Sequence, residues 1–336
     1  MQRTLRGIGM LGMLLLAIHD LEILLDQGDV IAAMSVEGQM GTDQVFRSAL
    51  HEDLRPHPGQ AQSARNMFNA LKGSEIVASH RHGDGVVQDA YSLRCAPQVS
   101  GAVRDTISHA RLVAHRELAS IIDNPVVLKN GEVTSNGNFH GAPVAYVLDF
   151  LAIAVADLSS ISERRTDRFL DVSRNRKLPA FLAFDPGVDS GLMITQYTQA
   201  ALVSENKRLA VPASVDSIPS SAMQEDHVSM GWHAARKLRK SVDNARRVLA
   251  IELVAAARGV ELRAPLKPAA VTGELIAILR EQVPGFGPDR DLSIELEAAN
   301  QLLMPHYHPE KSSTHPQICL FNSGIKLIPL RYGYDY

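Results

Sequence analysis

Apolar residues recur at helical spacing through a long stretch that begins at Pro143 and ends near Arg168. No glycine and no further proline interrupts this stretch. Spacings of three and four residues place apolar side chains on one face of an α-helix, and other elements must cover such a face. The residues that form it are Val144, Val147, Leu148, Leu151, Val155 and Leu158. The stretch therefore predicts a long, buried helix at the centre of a bundle.

Two more long helices are predicted over residues 191–209 and 228–260, with polar loops between the three. At the N-terminus, residues 4–27 predict a helix that ends near Gly28, and a second helix follows Asp29 to about residue 38. A longer helix is predicted to follow Pro97 and to end at about Ile122, and shorter helices are predicted over about 60–72, 88–94, 274–281 and 292–303. The pattern predicts an all-α fold, an elongated bundle of long antiparallel helices.

One small β element is expected within this helical chain. Val126 to Val133, with Asn130-Gly131 in the middle, predicts a hairpin with a two-residue turn. Elsewhere the aromatic content of 5% and the abundance of Ala and Leu favour helix over sheet.

Composition excludes several function classes. The net charge of −3 gives no reason to expect nucleic acid or an anionic membrane as a partner. The apolar run from Gly7 to Ile18 is too short to span a bilayer, so we assign it to a helix of the fold. Two cysteines, Cys95 and Cys319, do not make a disulfide framework, and a cytoplasmic location is expected. On the helix predicted over 228–260, the basic residues are expected to face solvent: Arg236, Lys237, Arg239, Lys240, Arg246 and Arg247.

Three polar residues, Gln88, Tyr91 and Arg94, are spaced three apart and would share one face of a helix. A guanidinium is planar and suits a carboxylate held through two hydrogen bonds, so the row is a candidate site for an amino acid or an oxo acid. Two alternatives remain open from the residues alone. Arg94 could cap a helix or pair with Asp89 or Asp105, and Tyr91 could be a buried residue with a satisfied hydroxyl.

Two further candidates lie in polar loops. Phe139 is flanked by glycine and asparagine instead of belonging to a periodic apolar face, and its ring could pack against a flat imidazole. Glu225 precedes an apolar helix, where a carboxylate can pair with an imidazole or take a proton from it. The alternative is that Glu225 and Asp226 serve as helix caps. The His-x-His pairs at 80–82 and 306–308 predict no metal site, because neither cysteine nor carboxylate completes a ligand set.

The sequence resembles the aromatic amino-acid ammonia-lyases, and within them the histidine ammonia-lyases. The resemblance extends over about residues 5–303 in the order of the family, which implies a fumarase/aspartase-like helical domain over 1–303 and a divergent tail over 304–336. The segments that carry it are QDAYSLRC (88–95), DNP (123–125), GNFHG (137–141), SERR (162–165), QYT (196–198), SENK (204–207), PASVDS (212–217) and QEDHVSMG (224–231).

The resemblance implies roles for the candidate residues. The residue that matches Arg94 binds the substrate carboxylate, and those that match Tyr91, Gln88 and Phe139 line the pocket beside a prosthetic group. Glu225 matches the glutamate of the histidine-specific branch, so the implied reaction is elimination of ammonia from L-histidine to give trans-urocanate, a step of histidine degradation. One departure lies nearby, because Met223 stands where the family usually has Asn.

The family's electrophile, a methylidene-imidazolone group, forms from an Ala-Ser-Gly triplet, and this sequence contains no such triplet. The resemblance therefore begins within the family's pattern, past that segment. Three interpretations remain: a truncated or split lyase, a chain completed by a partner that carries the N-terminal portion in a homotetramer-like assembly, or a non-catalytic helical fragment. The fumarase and argininosuccinate-lyase group is a remote alternative. It shares a Ser-rich loop similar to 214–221, but its Met-Pro-x-Lys-x-Asn continuation is missing.

Overall fold

A computed structural model of the chain describes residues 2–82 and 85–304. Over these residues the fold is all-α with one two-stranded β-hairpin, as predicted. The strands are β1 (Val126–Val127) and β2 (Val133–Thr134). The helices are α1 (Gln2–Gly38), α2 (Pro58–Ala70), α3 (Glu75–Ser79), α4 (Tyr91–Arg94), α5 (Ala96–Leu118), α6 (Ala142–Leu170), α7 (Met193–Leu209), α8 (Gly231–Glu261), α9 (Ala270–Arg280) and α10 (Leu292–Leu302).

The three longest helices, α1, α6 and α8, pack side by side and run in the same direction. Near their N-termini, Gly9 of α1 lies against the ring of Trp232 in α8. Near their C-termini, Gly38 and Gly259 both lie against the ring of Phe169 in α6, and an added Cβ would come within 2.8 and 2.3 Å of it. Small residues let the backbones approach closely at this end, so the register of the three helices is fixed.

The antiparallel relation predicted for the bundle is made by α5 and α7. On α7, Gln199 donates to the carbonyl of Val248 and Asn206 donates to the carbonyl of Ser241, so α7 descends as α8 ascends. The larger apolar core of the described residues runs from α1 to Leu303, just after α10, and a smaller one packs the C-terminal part of α1 against α2 and Leu93 of α4. That continuity agrees with one helical domain, although the boundary at residue 303 remains a prediction. The tail from residue 305 onward, with its second His-x-His pair, lies outside the described residues.

The predicted break at Gly28 is wrong, because α1 continues to Gly38 without interruption. The α-carbon of Gly28 faces the side chain of Leu249 in α8, at ordinary van der Waals distance for an added Cβ. Asp29 does not begin a new helix; it is fully buried and accepts hydrogen bonds from Asn66 and Arg104. Tertiary packing of a long apolar helix outweighs the helix-breaking tendency of one glycine, which is worth only about 1 kcal/mol.

The solvent-facing position predicted for the basic residues of α8 is also wrong at two of them. Lys237 and Arg246 are buried. Lys237 pairs with Asp149 of α6, and the Nε of Arg246 donates to the side chain of Asn300 in α10. A buried cation is stable only with such partners, which the sequence pattern of α8 alone does not reveal.

The hairpin forms where it was predicted, with Val126 opposite Thr134 and Val127 opposite Val133. Its turn has three residues instead of two. The N–H of Gly131 donates to the carbonyl of Leu128, and Gly131 has a φ of +85°. A type I turn followed by a left-handed glycine is the usual three-residue hairpin connection.

By length and composition α6 could cross a membrane, but 61% of its most apolar window is buried inside the protein. This burial is typical of the core helix of a bundle, which is what the periodicity of 143–168 predicts.

Candidate active site

The first group of candidate residues lies around α4, a single helical turn. Ala90 is extended (φ −61°, ψ 154°), so the helix begins only at Tyr91. The predicted helix over 88–94 is therefore wrong at its start, and Gln88 belongs to the exposed loop before it. Tyr91 is 71% exposed, so the alternative of a buried tyrosine does not apply within this chain.

Arg94 carries its guanidinium over the ring of Tyr91, 4.6 Å from the ring centroid. Its Nε is buried and has no hydrogen-bond partner among the residues that the structure describes. The two carboxylates considered as partners are used elsewhere: Asp89 accepts from the N–H of Thr42 at 2.7 Å and Asp105 from the N–H of Gly59 at 2.9 Å. A half-buried cation with an unused donor is a favourable place for an anionic ligand.

Two surface cavities lie near this end of the bundle. One of about 190 Å³ lies beside the loop that precedes α4 and is lined by Gln88 and Asp89 together with Thr42, His80 and Arg81. The other, of about 360 Å³, lies between α6 and α7 and holds none of the predicted residues. The smaller cavity is the one that belongs to the candidate site.

The second group lies at the N-terminal end of α6. Phe139 is half-buried in the loop that ends at Gly141, the residue before α6. The next residue, His140, stacks on His227 with 5.7 Å between the ring centroids and 9° between the ring planes. This contact joins the loop of Phe139 to the loop that carries Glu225, so the two candidates lie in adjacent loops.

Glu225 is held across a narrow antiparallel bridge. Its backbone exchanges hydrogen bonds with Ser220 at 2.9 and 3.1 Å, and Ser220 Oγ donates to Glu225 Oε2 at 2.8 Å. The turn between them contains three consecutive residues of positive φ, at 51°, 54° and 70°: Ser221, Ala222 and Met223. Left-handed backbone costs a residue with a Cβ about 1–3 kcal/mol, so the surroundings must hold this turn in place.

Helix capping does not explain Glu225 or Asp226. The N-cap of α8 is Met230, which makes no side-chain capping hydrogen bond, and the helix begins at Gly231. Met223, the departure from the family's usual asparagine, is 67% exposed in the strained turn.

The two groups lie at opposite ends of the bundle. Gly141 marks one end of α6, and Arg165, whose Nη1 donates to the carbonyl of Ser92 in α4, marks the other. At 1.5 Å per residue these two positions are about 36 Å apart along the helix axis. Within one copy of the chain, the structure therefore brings Tyr91 and Arg94 together and Phe139 near Glu225, but it does not bring the two groups to one site.

Four residues behind these groups were missed as supports by the sequence reasoning: Asp149, Arg165, Lys237 and Glu252. Lys237 was assigned to solvent, yet its spacing from the buried Ala234 and Ser241 places it on the packed face of α8. Arg165 belongs to the SERR segment that carried the resemblance, although no role was attached to it. The signal in the sequence was the position of these ionisable residues, which share the packed face of a long helix with apolar and small residues.

Asp149 of α6 binds the backbone at the start of the loop that carries Glu225. Its Oδ2 accepts from the N–H of Ser214 at 2.7 Å, and its Oδ1 accepts from Lys237 Nζ at 3.0 Å. Burial raises the pKa of Asp149, but the hydrogen bonds from Ser214 and Lys237 outweigh burial and leave that pKa below its ordinary value. The group is therefore a carboxylate that anchors the start of the loop.

Comparisons with known proteins agree with the resemblance found in the sequence. A family model for aromatic amino acid lyases matches residues 8–281. The histidine ammonia-lyase of Streptomyces avermitilis is 64% identical over 293 residues, which are 87% of this chain and 57% of that protein. The chain thus spans a little more than half the length of this relative.

Several solved structures share the fold, including a tyrosine aminomutase and a histidine ammonia-lyase. The tyrosine aminomutase of Streptomyces globisporus is 34% identical with a TM-score of 0.84, over 88% of this chain and 60% of that one. The histidine ammonia-lyase of Trypanosoma cruzi is 39% identical with a TM-score of 0.79, over 88% of this chain and 55% of that one.

Proposed function

The chain belongs to the aromatic amino acid lyase family, and from this membership we propose that it forms part of a histidine ammonia-lyase, which eliminates ammonia from L-histidine to give trans-urocanate. The fold alone does not choose this substrate, since a tyrosine aminomutase shares it. The substrate assignment therefore depends on the side chains of the two candidate groups.

The observation that carries the proposal is the unused donor of Arg94. A buried Nε without a partner, on a guanidinium held over Tyr91, fits the carboxylate of an amino acid that would complete its hydrogen bonds. In this proposal Arg94 binds the substrate carboxylate, Tyr91 places its hydroxyl beside the reacting atoms as a proton-transfer group, and Gln88 lines the adjoining cavity.

Glu225 supports histidine over other aromatic amino acids. A carboxylate can pair with an imidazolium or accept the proton of an imidazole, which a phenyl or phenol ring does not offer in the same way. Ser220 already binds one of its oxygens and so fixes the carboxylate's direction. Phe139 in the adjoining loop would pack against the flat substrate ring.

The family is one that depends on a methylidene-imidazolone group, which supplies the electrophile for amine elimination when it is present. No Ala-Ser-Gly triplet occurs in these 336 residues. We therefore place the source of the group in a polypeptide segment outside this sequence. The role of the present residues is to bind the carboxylate, orient the ring and move protons.

A shared site follows from the proposal, because its two groups of residues lie about 36 Å apart in one copy. Copies of the chain, or a partner that carries the N-terminal portion, would have to bring opposite ends of two bundles together in a homo-oligomer, with a tetramer as the family implies. Exposed apolar residues at i, i+4 and i+7 on α6, namely Tyr146, Phe150 and Ile153, give such an assembly an apolar face to cover. A cytoplasmic location accompanies this proposal.

The second candidate function is a non-catalytic fragment that assembles with a lyase. The same apolar face of α6 favours it, because that face needs a partner whether or not the site turns over. The two candidates differ in one result: assembly with release of urocanate, or assembly without it.

The test is the ultraviolet appearance of trans-urocanate from L-histidine, measured on the full chain alone and mixed with a polypeptide that carries the family's Ala-Ser-Gly segment. We expect turnover only in the mixture. Arg94→Ala should raise KM or abolish turnover, whereas Arg247→Ala, which removes an exposed pair with Glu297, should leave both unchanged. Unaltered kinetics in Arg94→Ala would contradict the assignment, and turnover by the chain alone would contradict the proposed source of the electrophile.

A further inference from the structure

We infer that Arg165 is a positioning residue for α4, and that it sets the direction of Tyr91 and Arg94 through one hydrogen bond to the backbone between them. The consequence for substrate binding rests on the proposed function above, whereas the consequence for the order of α4 does not. The inference is carried by the geometry of a buried ion pair whose donors reach beyond the pair itself.

Arg165 of α6 and Glu252 of α8 form this pair in the core. Their side chains are 3% and 0% exposed. Arg165 Nε donates to Glu252 Oε1 at 2.5 Å and Arg165 Nη2 donates to Glu252 Oε2 at 2.8 Å, so the pair is joined through two parallel hydrogen bonds. This fork-to-fork contact fixes the plane of the guanidinium as well as its position.

Further hydrogen bonds hold the acidic partner and the backbone of Arg165. Ser35 of α1 donates to Glu252 Oε1 at 2.7 Å and Ser162 of α6 donates to Glu252 Oε2 at 2.5 Å. Gln39 donates to the carbonyl of Arg165 at 3.0 Å. The pair is thus tied to all three parallel helices, and its members have little room to turn.

The third guanidinium nitrogen of Arg165 binds a residue outside this network. Arg165 Nη1 donates to the carbonyl of Ser92 at 3.3 Å. Because the guanidinium is rigid, binding two of its nitrogens to Glu252 determines where the third one points. The bundle core therefore presents a donor in a fixed direction to the middle of α4.

The receiving element needs such a support. A four-residue helix has no stability of its own, because the cost of ordering one turn exceeds what its few hydrogen bonds return. Leu93 anchors α4 by burial, and the single residue Cys95 joins α4 to α5, so these contacts hold its C-terminal end. The bond from Arg165 to Ser92 reaches the turn's backbone from the bundle core, between Tyr91 and Arg94.

The test is hydrogen exchange of the full chain, read at the amides of Leu93, Arg94 and Cys95, which close the turn by bonding to Ala90 and Tyr91. Arg165→Lys keeps a cation beside Glu252 but lacks the planar fork that aims a donor at Ser92. We expect exchange at these amides to become roughly tenfold faster, the effect of losing one charge-assisted hydrogen bond. The matched control is Ser162→Ala, which removes a bond to the same carboxylate without touching Ser92, and should leave them as in the parent chain.

A second variant covers the case in which Arg165→Lys folds poorly. Arg165→Met combined with Glu252→Leu removes both charges together, which buried pairs tolerate when the replacement is apolar and of similar volume. Faster exchange confined to α4 in this variant would support the inference. Equal exchange of α4 in the parent and in a folded variant of either kind would overturn it.

Kinetics in the mixture that carries the Ala-Ser-Gly segment separate this inference from the proposed function. Loosening of α4 should raise KM roughly tenfold through Arg94, because a carboxylate contact is made equally before and during the reaction, and it should also lower kcat through Tyr91, the proposed proton-transfer group on the same turn. Faster exchange with an unchanged KM would leave the positioning inference standing and remove Arg94 from substrate binding. Unchanged exchange would remove Arg165 from positioning whatever the kinetics are.

Discussion

The two ends of the bundle use the same device with opposite polarity. Near the N-termini of the parallel helices, α6 contributes the acid and α8 the base, as Asp149 and Lys237. Near the C-termini, α6 contributes the base and α8 the acid, as Arg165 and Glu252. Each buried pair has donors or acceptors beyond those that join its two members. These bind the backbone of a segment that carries candidate site residues.

The two buried pairs differ in how tightly they restrict the orientation of the backbone segment that each one binds. Arg165 and Glu252 form a planar, doubly bonded unit next to a single helical turn. Lys237 is a point charge that binds both Asp149 and the carbonyl of Val211. Together with the bond from Ser214, it anchors only the start of a loop whose candidate residue, Glu225, lies eleven positions further along. The orientation of α4 is therefore fixed. The loop that carries Glu225 is held only where it begins, and its own strained turn determines the rest of its shape.

The largest expected effect is on the Arg165–Glu252 pair. Arg165→Ala leaves Glu252 buried without its cation, and we expect the free energy of unfolding to fall by about 3–5 kcal/mol. Denaturant unfolding would measure this loss. Removing one partner of the exposed Arg247–Glu297 pair should cost less than about 1 kcal/mol. Losses of equal size would mean that the buried pair is no more than a surface contact.

The pair at the other end should give a smaller loss. In Lys237→Met the stem is replaced by an apolar chain and Asp149 keeps its bond from Ser214, so we expect a loss of roughly 1.5–3 kcal/mol. Hydrogen exchange should accelerate over 211–217. The neighbouring and exposed Arg236→Met is the matched control and should stay within about 0.5 kcal/mol. Acceleration around α4 instead would break the assignment of one pair to each end.

Lowering the pH should change the stability of the folded protein in opposite directions at the two ends of the bundle. The pKa of Asp149 is lowered in the folded protein, so its contribution to stability is present above the unfolded value near 3.8 and is lost as the pH falls through the folded one. At the α4 end, burial raises the pKa of Glu37, which accepts from the N–H of Ala269 at 2.7 Å. The folded protein therefore favours the neutral form of Glu37, and acidification relieves a cost there.

Two amide substitutions test this contrast through unfolding curves recorded from pH 7 to pH 3. Asp149→Asn should destabilise the protein at pH 7 and flatten the acid-side loss of stability. Glu37→Gln should be neutral or stabilising at pH 7. The same sign for both substitutions at pH 7 would show that the two ends do not differ in this way.

The sequence predicts where most of the helices lie, but it misplaces some helix ends and does not reveal which residues pair between helices. The periodicity of 143–168 predicted α6 because a buried face leaves its mark at each turn. The break at Gly28 was predicted from a local preference of about 1 kcal/mol, which packing against Leu249 outweighs. Lys237 was assigned to solvent because its partner, Asp149, lies 88 residues away on another helix.

The candidate site shows the same division. Tyr91 and Arg94 could be read together because they lie on one turn. Nothing local in the sequence reveals that Phe139 and Glu225 lie at the far end of α6, since that distance depends on the parallel packing of α6 with α8. The motifs of a family identify the residues that share a site. Only the structure shows which of those residues one copy of the chain brings together.

The smallest expected effect concerns the strained turn before Glu225. Met223 has a φ of 70°, a conformation that asparagine adopts more readily than methionine. We expect Met223→Asn to stabilise the chain by about 0.5 kcal/mol, seen as a small rise in Tm, and to slow exchange at the Glu225 amide. Ala222→Gly, at a φ of 54°, relieves the same kind of strain without adding an amide side chain. If both substitutions slow exchange at Glu225 equally, backbone strain alone governs this end. If only Met223→Asn does so, the amide side chain itself orders the loop, and the departure from the family at this position loosens the end of the bundle that is already the less firmly held.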